Sequence, residues 1–498
     1  MGAATTNWRS KMSSRHHAGE TDFDSDARRA ANSALAGSQT MSKGFIWTLR
    51  EAFASRKPQK VGERQSARVA EMVAYARANS PYYRDRYRDL PERVEDPALL
   101  PVTSKRELMA HFDDWATDRE VTIEKARAFA SNPDLIGEQF LGKYTVATTS
   151  GTTGTPGVFV LDARNMAVTA AMAIRTLRAW LGLGDILKIL AGGGRTAMTI
   201  AAGSHSATAV AAARLHKSPS RSKRVLVLPV HAPLEEMVAK LNEFRPALLA
   251  PYASIAKLLA AEQGAGRLHV SPVLVVCAAE GLAVGEYDRI AKVFGAKVEN
   301  SYAATECFFF SYGCKERWLH VNNDWAVLEP VDADYRLVPP GEQSHTVLLS
   351  NLANRVQPIL RYDLGDSVLQ RADPCPCGNP LPAIRVQGRA SDVLTFKKGG
   401  GERVSIPPLA LEVDQVRGVE LFQIVQTTPT SLRVRLRPTA GTDPDHVWQT
   451  VHGAIARLLA EHKLEHVAVE RAEEAPEQST GGKYRAVIPL EGPSLGDK

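Results

Sequence analysis

The chain's clearest fold signal is Lys143-Tyr144-Thr145-Val146-Ala147-Thr148-Thr149-Ser150-Gly151-Thr152-Thr153-Gly154-Thr155-Pro156-Gly157-Val158-Phe159-Val160-Leu161. Its two ends, Lys143–Thr148 and Val158–Leu161, have the β-branched and aromatic content of strands. Between them lies a Gly/Thr loop. Glycines without a Cβ let backbone N–H groups approach phosphate oxygens, and the threonine and serine hydroxyls add donors. No Gly-Lys-Ser/Thr closes the loop, so it is not the common Walker phosphate loop. A flexible Ser/Thr/Gly turn is the alternative reading. Its place between two strands and ahead of a helical segment, Arg164–Trp180, favours a phosphate site.

Outward from this loop, strand and helix signals alternate. Short apolar runs at Ile186–Leu190, Val225–Leu228, Ala247–Ala250 and Val273–Cys277 read as strands, with helices such as Leu234–Phe244 between them. That pattern predicts an α/β core with largely parallel sheets, which bind ligands at the carboxyl ends of their strands. Upstream, Lys43 to Asp114 reads as helical, with a turn at Ser80-Pro81 and a loop around Leu100-Pro101. Downstream of Glu329 the texture becomes strand-rich, and a break falls at Gly388-Arg389-Ala390-Ser391-Asp392. The C-terminal stretch predicts a helix after Ile406, strands near Leu421–Gln426 and Leu432–Leu436, and a helix at His446–His462. The expected organisation is a polar leader over 1–40, a large N-terminal α/β domain with a β-rich subdomain over 41–387, and a small mobile α/β domain over 388–498.

Composition narrows the classes. The 498 residues are 44% hydrophobic and 23% charged, ordinary for a globular protein with a sizeable core. No run of apolar residues reaches the length of a transmembrane helix, and no secretory signal opens the chain. No membrane insertion and a cytoplasmic location are therefore expected. Residues 1–60 hold ten Lys/Arg and five Asp/Glu, which accounts for +5 of the net +6. The excess thus sits largely in a Ser/Ala/Arg-rich leader, read as a solvated tail to about Thr40. A vector remnant, an upstream extension, a weak targeting peptide and an alternative start at Met41 all stay open. No basic stripe with interleaved aromatics follows, so no nucleic-acid partner is expected.

Four further segments carry chemistry. Asn300-Ser301-Tyr302-Ala303-Ala304-Thr305-Glu306 offers a ring to stack on a base, a hydroxyl for phosphate and a carboxylate for Mg²⁺. Leu360-Arg361-Tyr362-Asp363-Leu364-Gly365-Asp366 offers a carboxylate suited to ribose hydroxyls; Asp366, after the Gly turn, is preferred to Asp363. Gly388–Asp392 and Thr480-Gly481-Gly482-Lys483-Tyr484-Arg485 complete the series. A strand-to-loop turn or a mobile surface lysine would explain each one alone.

In this order, the five segments resemble the adenylate-forming superfamily of acyl-CoA synthetases, peptide-synthetase adenylation domains and luciferases. The chain looks most like its phenylacetate-CoA ligase branch, including relatives of the deazaflavin-adenylating synthetase of methanogens. Ala78-Asn79-Ser80-Pro81-Tyr82-Tyr83, Leu99-Leu100-Pro101-Val102-Thr103-Ser104-Lys105 and Pro374-Cys375-Pro376-Cys377-Gly378 match that branch's signatures. The likeness covers roughly residues 65–490. It implies that Ser150, Gly151, Thr152, Thr153 and Gly154 cradle ATP phosphates, Tyr302 and Ala303 lie at adenine, and Thr305 contacts the α-phosphate. It implies further that Glu306 places Mg²⁺, Asp366 binds ribose, Arg389 contacts ribose or phosphate, and Lys483 reaches the carboxylate and α-phosphate during adenylation. His205, Tyr252, Ala279 and Glu280 fall where an acyl pocket is expected, although His205 reads equally well as a structural residue. Ser391 and Asp392 fall at the hinge. Three departures stand out: Gly157 replaces a lysine often found after the phosphate loop, Ala303 replaces a glycine beside adenine, and Ser391 replaces an Asp or Lys.

Cys314-x5-His320 and Cys375-Pro376-Cys377 supply three sulfurs and one imidazole, the complement of a tetrahedral structural zinc site. Four unlinked, reduced side chains are the alternative. The odd total of five cysteines argues against a disulfide framework. The implied reaction is a carboxylic acid plus ATP giving acyl-AMP and pyrophosphate, followed by acyl transfer. CoA is the expected acceptor, with an amine or a carrier-protein thiol open. A nucleotide-binding scaffold without chemistry is the different-class alternative. The acid's identity is not legible, and a homodimer is one option for the oligomeric state.

Overall fold

The computed structural model describes residues 44–490 except 55, 150–156, 201–204, 217–221, 231, 278–280, 283, 309, 390–391, 399–402, 407–410, 412, 414–415 and 478–483. The chain divides into two compact units, residues 1–54 and 55–498. In the first, the described residues contain a helix over 44–52 that exposes Phe45 and Ile46. Everything below concerns the second.

Strands β1 (Thr145–Thr148) and β2 (Val158–Leu161) pair antiparallel, with Thr148 opposite Val158. The Gly/Thr segment therefore joins adjacent strand ends, as expected. Five strands follow: β3 (Thr196–Ile200), β4 (Val225–Pro229), β5 (Leu248–Ala250), β6 (Leu274–Cys277) and β7 (Lys297–Asn300). They form one parallel sheet in the order β4-β3-β5-β6-β7. Helices Leu234–Phe244, Ala253–Gly264 and Val284–Phe294 cover it, burying Met237, Leu241, Ile255, Leu259, Ile290 and Phe294 against Leu249, Val275 and Val298. Burial of this kind stabilises by about 1.5–3 kcal/mol per large apolar side chain.

One expectation is corrected here. Ile186–Leu190 is not a strand but lies within the helix Leu183–Ala191. Asp185 accepts a hydrogen bond from the Gly182 N–H at 2.8 Å and so caps that helix, and left-handed Gly193 and Gly194 end it. The strand is Thr196–Ile200, whose mix of threonine and small apolar residues gave no continuous apolar run.

Over residues 311–389 the sheets are antiparallel. Strands β8 (Ser311–Gly313), β9 (Leu319–Val321), β10 (Ala326–Val331), β11 (Thr346–Asn351), β12 (Ile359–Asp363), β13 (Asp366–Gln370) and β14 (Ala383–Arg389) make two sheets, β10-β11-β12 and β13-β14-β9-β8. A separate apolar core follows, built from β15 (Leu394–Lys397), β16 (Arg403–Ile406), β17 (Val419–Thr428), β18 (Ser431–Pro438), β19 (Ala468–Arg471), β20 (Val487–Ile488) and the helix Pro444–Glu461. That helix starts with Asp443 capping the Asp445 N–H and buries Val447, Val451, Ile455 and Leu459 at four-residue spacing. Among the described residues, no helix is long and apolar enough to cross a membrane. The helix expected after Ile406 falls mainly outside the described residues.

Candidate functional site

The chain leaves the parallel sheet at Asn300 and turns through Tyr302. The Tyr302 N–H donates to Ser311 Oγ at 3.1 Å, and the Ser311 hydroxyl donates back to the Tyr302 carbonyl at 2.8 Å. Phe310 meets the Tyr302 ring edge-on, with centroids 4.8 Å apart. So held, the Tyr302 hydroxyl donates to Asp366 Oδ2 at 2.5 Å. Two residues from separate motifs are thereby in contact. Asp366 opens β13, directly across the ladder from Arg389 on β14, which puts a third site residue opposite the second. Of the Arg389 side chain nothing is described.

Asp363 is used differently. Its Oδ1 accepts the Gly365 N–H at 2.9 Å and the Thr346 hydroxyl at 2.5 Å, while Oδ2 accepts the Tyr335 hydroxyl at 3.1 Å. Gly365 has φ +71°, a conformation that favours glycine. Asp363 builds the turn, and Asp366 follows it.

Thr305 and Glu306 sit in a tight loop closed by reciprocal backbone bonds between Ala304 and Cys307, at 3.1 and 3.0 Å. Asn351 Nδ2 donates to the Glu306 carbonyl at 2.9 Å, and the Tyr362 hydroxyl donates to Glu306 Oε1 at 2.9 Å. Glu306 is 5% exposed. Burial pushes its carboxyl above the usual range; Asp366 adds to this, whereas the Tyr362 hydroxyl and Lys105 oppose it. A buried carboxylate so placed gains from any cation brought beside it.

Lys105 is the residue that sequence reasoning missed. Ser104 caps its helix, accepting the Glu107 N–H at 3.2 Å. Thr103 is stitched to β12: its N–H donates to the Arg361 carbonyl at 3.0 Å, and its carbonyl accepts the Asp363 N–H at 2.9 Å. A Cβ built on Gly157 would lie 3.3 Å from Lys105 Cδ and 2.8 Å from a Phe159 ring carbon. A side chain at 157 would therefore collide, while Lys105 runs past Gly157 from another element. The available signal was Gly157 in place of a lysine, together with a lysine in the quoted Thr103-Ser104-Lys105.

The three cysteines and the histidine converge as expected. One donor atom from each of Cys314, His320, Cys375 and Cys377 lies within 4.8 Å of all the others. Cys314 Sγ is 3.8 Å from Cys375 Sγ, and His320 Nε2 is 3.2 Å from Cys377 Sγ. His320 Nδ1 faces the Leu381 carbonyl at 2.9 Å, which orients the ring with Nε2 towards the sulfurs. Burial pushes the Cys314 thiol up to about 12. The cluster bridges the β8–β9 turn and the β13–β14 connection, and β14 pairs with β9 through Ala383 and His320.

Solved structures share this architecture. One is 2-hydroxyisobutyryl-CoA ligase in the postadenylation state with 2-HIB-AMP, at 22% identity, 88% of this chain, 90% of that chain and TM-score 0.61. The fold is that of the adenylate-forming enzymes. The same ligase with 2-HIB-AMP and CoA in the thioesterification state matches at 21% identity over 88% of this chain and 91% of that one, TM-score 0.53. GH3.15 acyl acid amido synthetase matches at 13% identity over 86% and 91%, TM-score 0.54. No protein-family model and no curated protein matches the sequence.

Within the adenylate-forming fold the remaining candidates separate. His205 is 1% exposed, with Nε2 3.1 Å from the Asn132 carbonyl and its ring 5.4 Å from that of Phe129. Its carbonyl accepts the Thr148 N–H at 2.8 Å, so it flanks the strand entering the Gly/Thr loop. Tyr252 is 2% exposed in the parallel-sheet core, its N–H donating to Thr199 Oγ1 at 2.9 Å. Asp392 is ion-paired with Arg485, which links the expected hinge to the segment after Lys483. Ser150, Gly151, Thr152, Thr153, Gly154, Ala279, Glu280, Ser391 and Lys483 lie outside the described residues.

Proposed function

We propose that this chain is an adenylate-forming ligase that activates a carboxylic acid with ATP and transfers the acyl group to CoA. The contact of Tyr302 with Asp366 carries the reading, because it joins the base-stacking and ribose-binding candidates in one site within this fold. The structural neighbour at TM-score 0.61 was solved with an acyl-adenylate, and the same ligase also with CoA.

In this reading Tyr302 and Ala303 flank adenine, and Asp366 accepts the ribose hydroxyls with Arg389 opposite. The Gly/Thr loop from Ser150 to Gly154 and Thr305 donate to phosphate oxygens. Glu306 holds Mg²⁺, which supplies charge neutralisation at the phosphates when bound. Lys105 adds a cation at the end of the loop. Lys483, brought in by a mobile domain over 388–498 turning about Ser391 and Asp392, bonds to the carboxylate and α-phosphate. Fixed donors aimed at charge that develops in the transition state are usually the largest catalytic contribution. His205 and Tyr252, with Ala279 and Glu280, border the acyl pocket. Cys314, His320, Cys375 and Cys377 fit a structural zinc ion, three thiolates and one imidazole being its usual donors.

ATP–pyrophosphate exchange with a panel of carboxylic acids tests the first half. Acid-dependent exchange is expected, and measurable ATP binding without exchange for any acid would leave only a nucleotide-binding scaffold. Supplying CoA, an amine or a carrier protein to the exchanging enzyme then identifies the acceptor, with a thioester of CoA expected.

A further inference from the structure

The start of β7, the β8–β9 turn, the end of the helix Ala163–Trp180 and the residues before the helix Pro58–Asn79 surround an open cavity of about 660 Å³. Its charged lining is Arg56, Arg178, Lys297, Lys315 and Arg317 against a single carboxylate, Glu299. The whole chain has 61 Lys/Arg and 55 Asp/Glu, so this is a local concentration of cations and not the chain's average. Four separate segments contribute them.

Two of the cations are fixed from behind. Lys297 Nζ donates to the Trp180 carbonyl at 2.9 Å and to Asp185 at 2.6 Å. The Arg317 guanidinium donates to the Val298 carbonyl at 3.1 Å and to Asp288, itself 77% exposed, at 3.0 Å. Neither acid lines the cavity. Arg56 donates to the neutral Tyr312 hydroxyl at 3.2 Å. Lys315 is 73% exposed, with Glu316 no nearer than 3.9 Å. Burial pushes the Glu299 carboxyl up to about 7, so the one lining acid is readily neutralised. Clefts lined by one sign of charge focus the field and concentrate the opposite ion, and the volume lies in the range of small-molecule sites.

We infer that this cavity is a second ligand site, separate from the nucleotide site, for a small phosphate-bearing anion seated among Arg56, Arg178 and Lys315. An occupant would touch β7 three residues before Tyr302 and would also touch Cys314 and Cys377, which line the same cavity. It would therefore contact both structures that hold the nucleotide residues in place.

The test is isothermal titration of the full chain with tripolyphosphate, with citrate as a carboxylate control, while a non-hydrolysable ATP analogue saturates the nucleotide site. If the analogue does not bind, the proposed activity is in doubt but the same titration proceeds without it. One tripolyphosphate per chain is expected, weakening with salt. Arg178→Glu with Lys315→Glu is expected to weaken it at least about tenfold, because charge-assisted contacts are lost. Both side chains are exposed, so an unchanged far-UV spectrum and unchanged analogue binding are expected in the double variant. Absence of tripolyphosphate binding, undiminished binding in the double variant, or citrate binding as tightly as tripolyphosphate would each overturn the inference.

Discussion

Glu306 and the cluster of Cys314, His320, Cys375 and Cys377 both gather groups that call for a cation, but they are held in opposite ways. The Glu306 loop is enclosed by protein: the carboxylate is 5% exposed and bonds to Tyr362, while Asn351 fixes its backbone. The cysteine cluster has Trp318, Ala383 and Leu369 as its main apolar neighbours, and its geometry is set by four donor atoms within 4.8 Å. The first stands preformed and gains when a cation arrives with substrate. In the proposed reading the second gains its rigidity from a resident ion. In that reading the difference separates a centre for a visiting metal from one for a permanent metal, and the two should fail under different insults.

The largest effect should come from removing the lysine proposed for adenylation. Lys483→Ala should raise the adenylation barrier by roughly 3–4 kcal/mol, the weight of one charge-stabilising donor. Metal content and acyl transfer from a synthetic acyl-adenylate should be unchanged, as measured by elemental analysis and by assay of the second half-reaction alone. The cysteine side should break next. Purified protein should carry close to one zinc, and Cys375→Ser or chelation should lower thermal stability and weaken ATP binding by about 10- to 100-fold. Metal-free protein with full stability and affinity would remove one side of the comparison altogether.

Lys105→Met should lower the rate of exchange by about 10- to 100-fold with little change in stability, since its charge acts near the loop and Glu306. Equal losses in exchange and melting temperature would make it a structural residue. Glu306→Gln sharpens the contrast through stability. A carboxyl whose folded pKa is raised opposes folding above its unfolded pKa, so stability falls as pH climbs from there towards the folded value. The amide removes that cost: the ligand-free variant should be more stable at neutral pH, while exchange is weakened. A lower melting temperature at pH 7 would contradict the burial argument. Tyr302→Phe should have the smallest effect, weakening ATP binding about fivefold, near 1 kcal/mol for one modest hydrogen bond.

Local chemistry was legible where a motif contains its own reason. The Gly365 turn ahead of Asp366, the spacing of Cys375 and Cys377, and the periodic helix around Val447, Val451 and Ile455 each read correctly from neighbours in sequence. Period alone could not separate a buried strand from a short apolar helix, and so Ile186–Leu190 was misread. What lies between motifs was hidden. The contact of Tyr302 with Asp366, 64 residues on, has no trace in local sequence, and the passage of Lys105 beside Gly157 shows there only as a glycine where a lysine is often found. Both depend on elements far apart in sequence that only the fold brings together.

The clip between Thr103 and β12 has a kinetic consequence. The Thr103 hydroxyl bonds to the Leu360 carbonyl across 257 residues of chain, and the Trp115 indole bonds to the Pro358 carbonyl across 243. Closing loops of that length is entropically expensive and slows folding. On the ribosome, the segment carrying Lys105 is made early, and its bonds to β12 form only once that strand emerges. The proposed nucleotide site therefore matures late. A nascent chain halted before residue 358 would display its helices without the segment to which Thr103 and Trp115 bond.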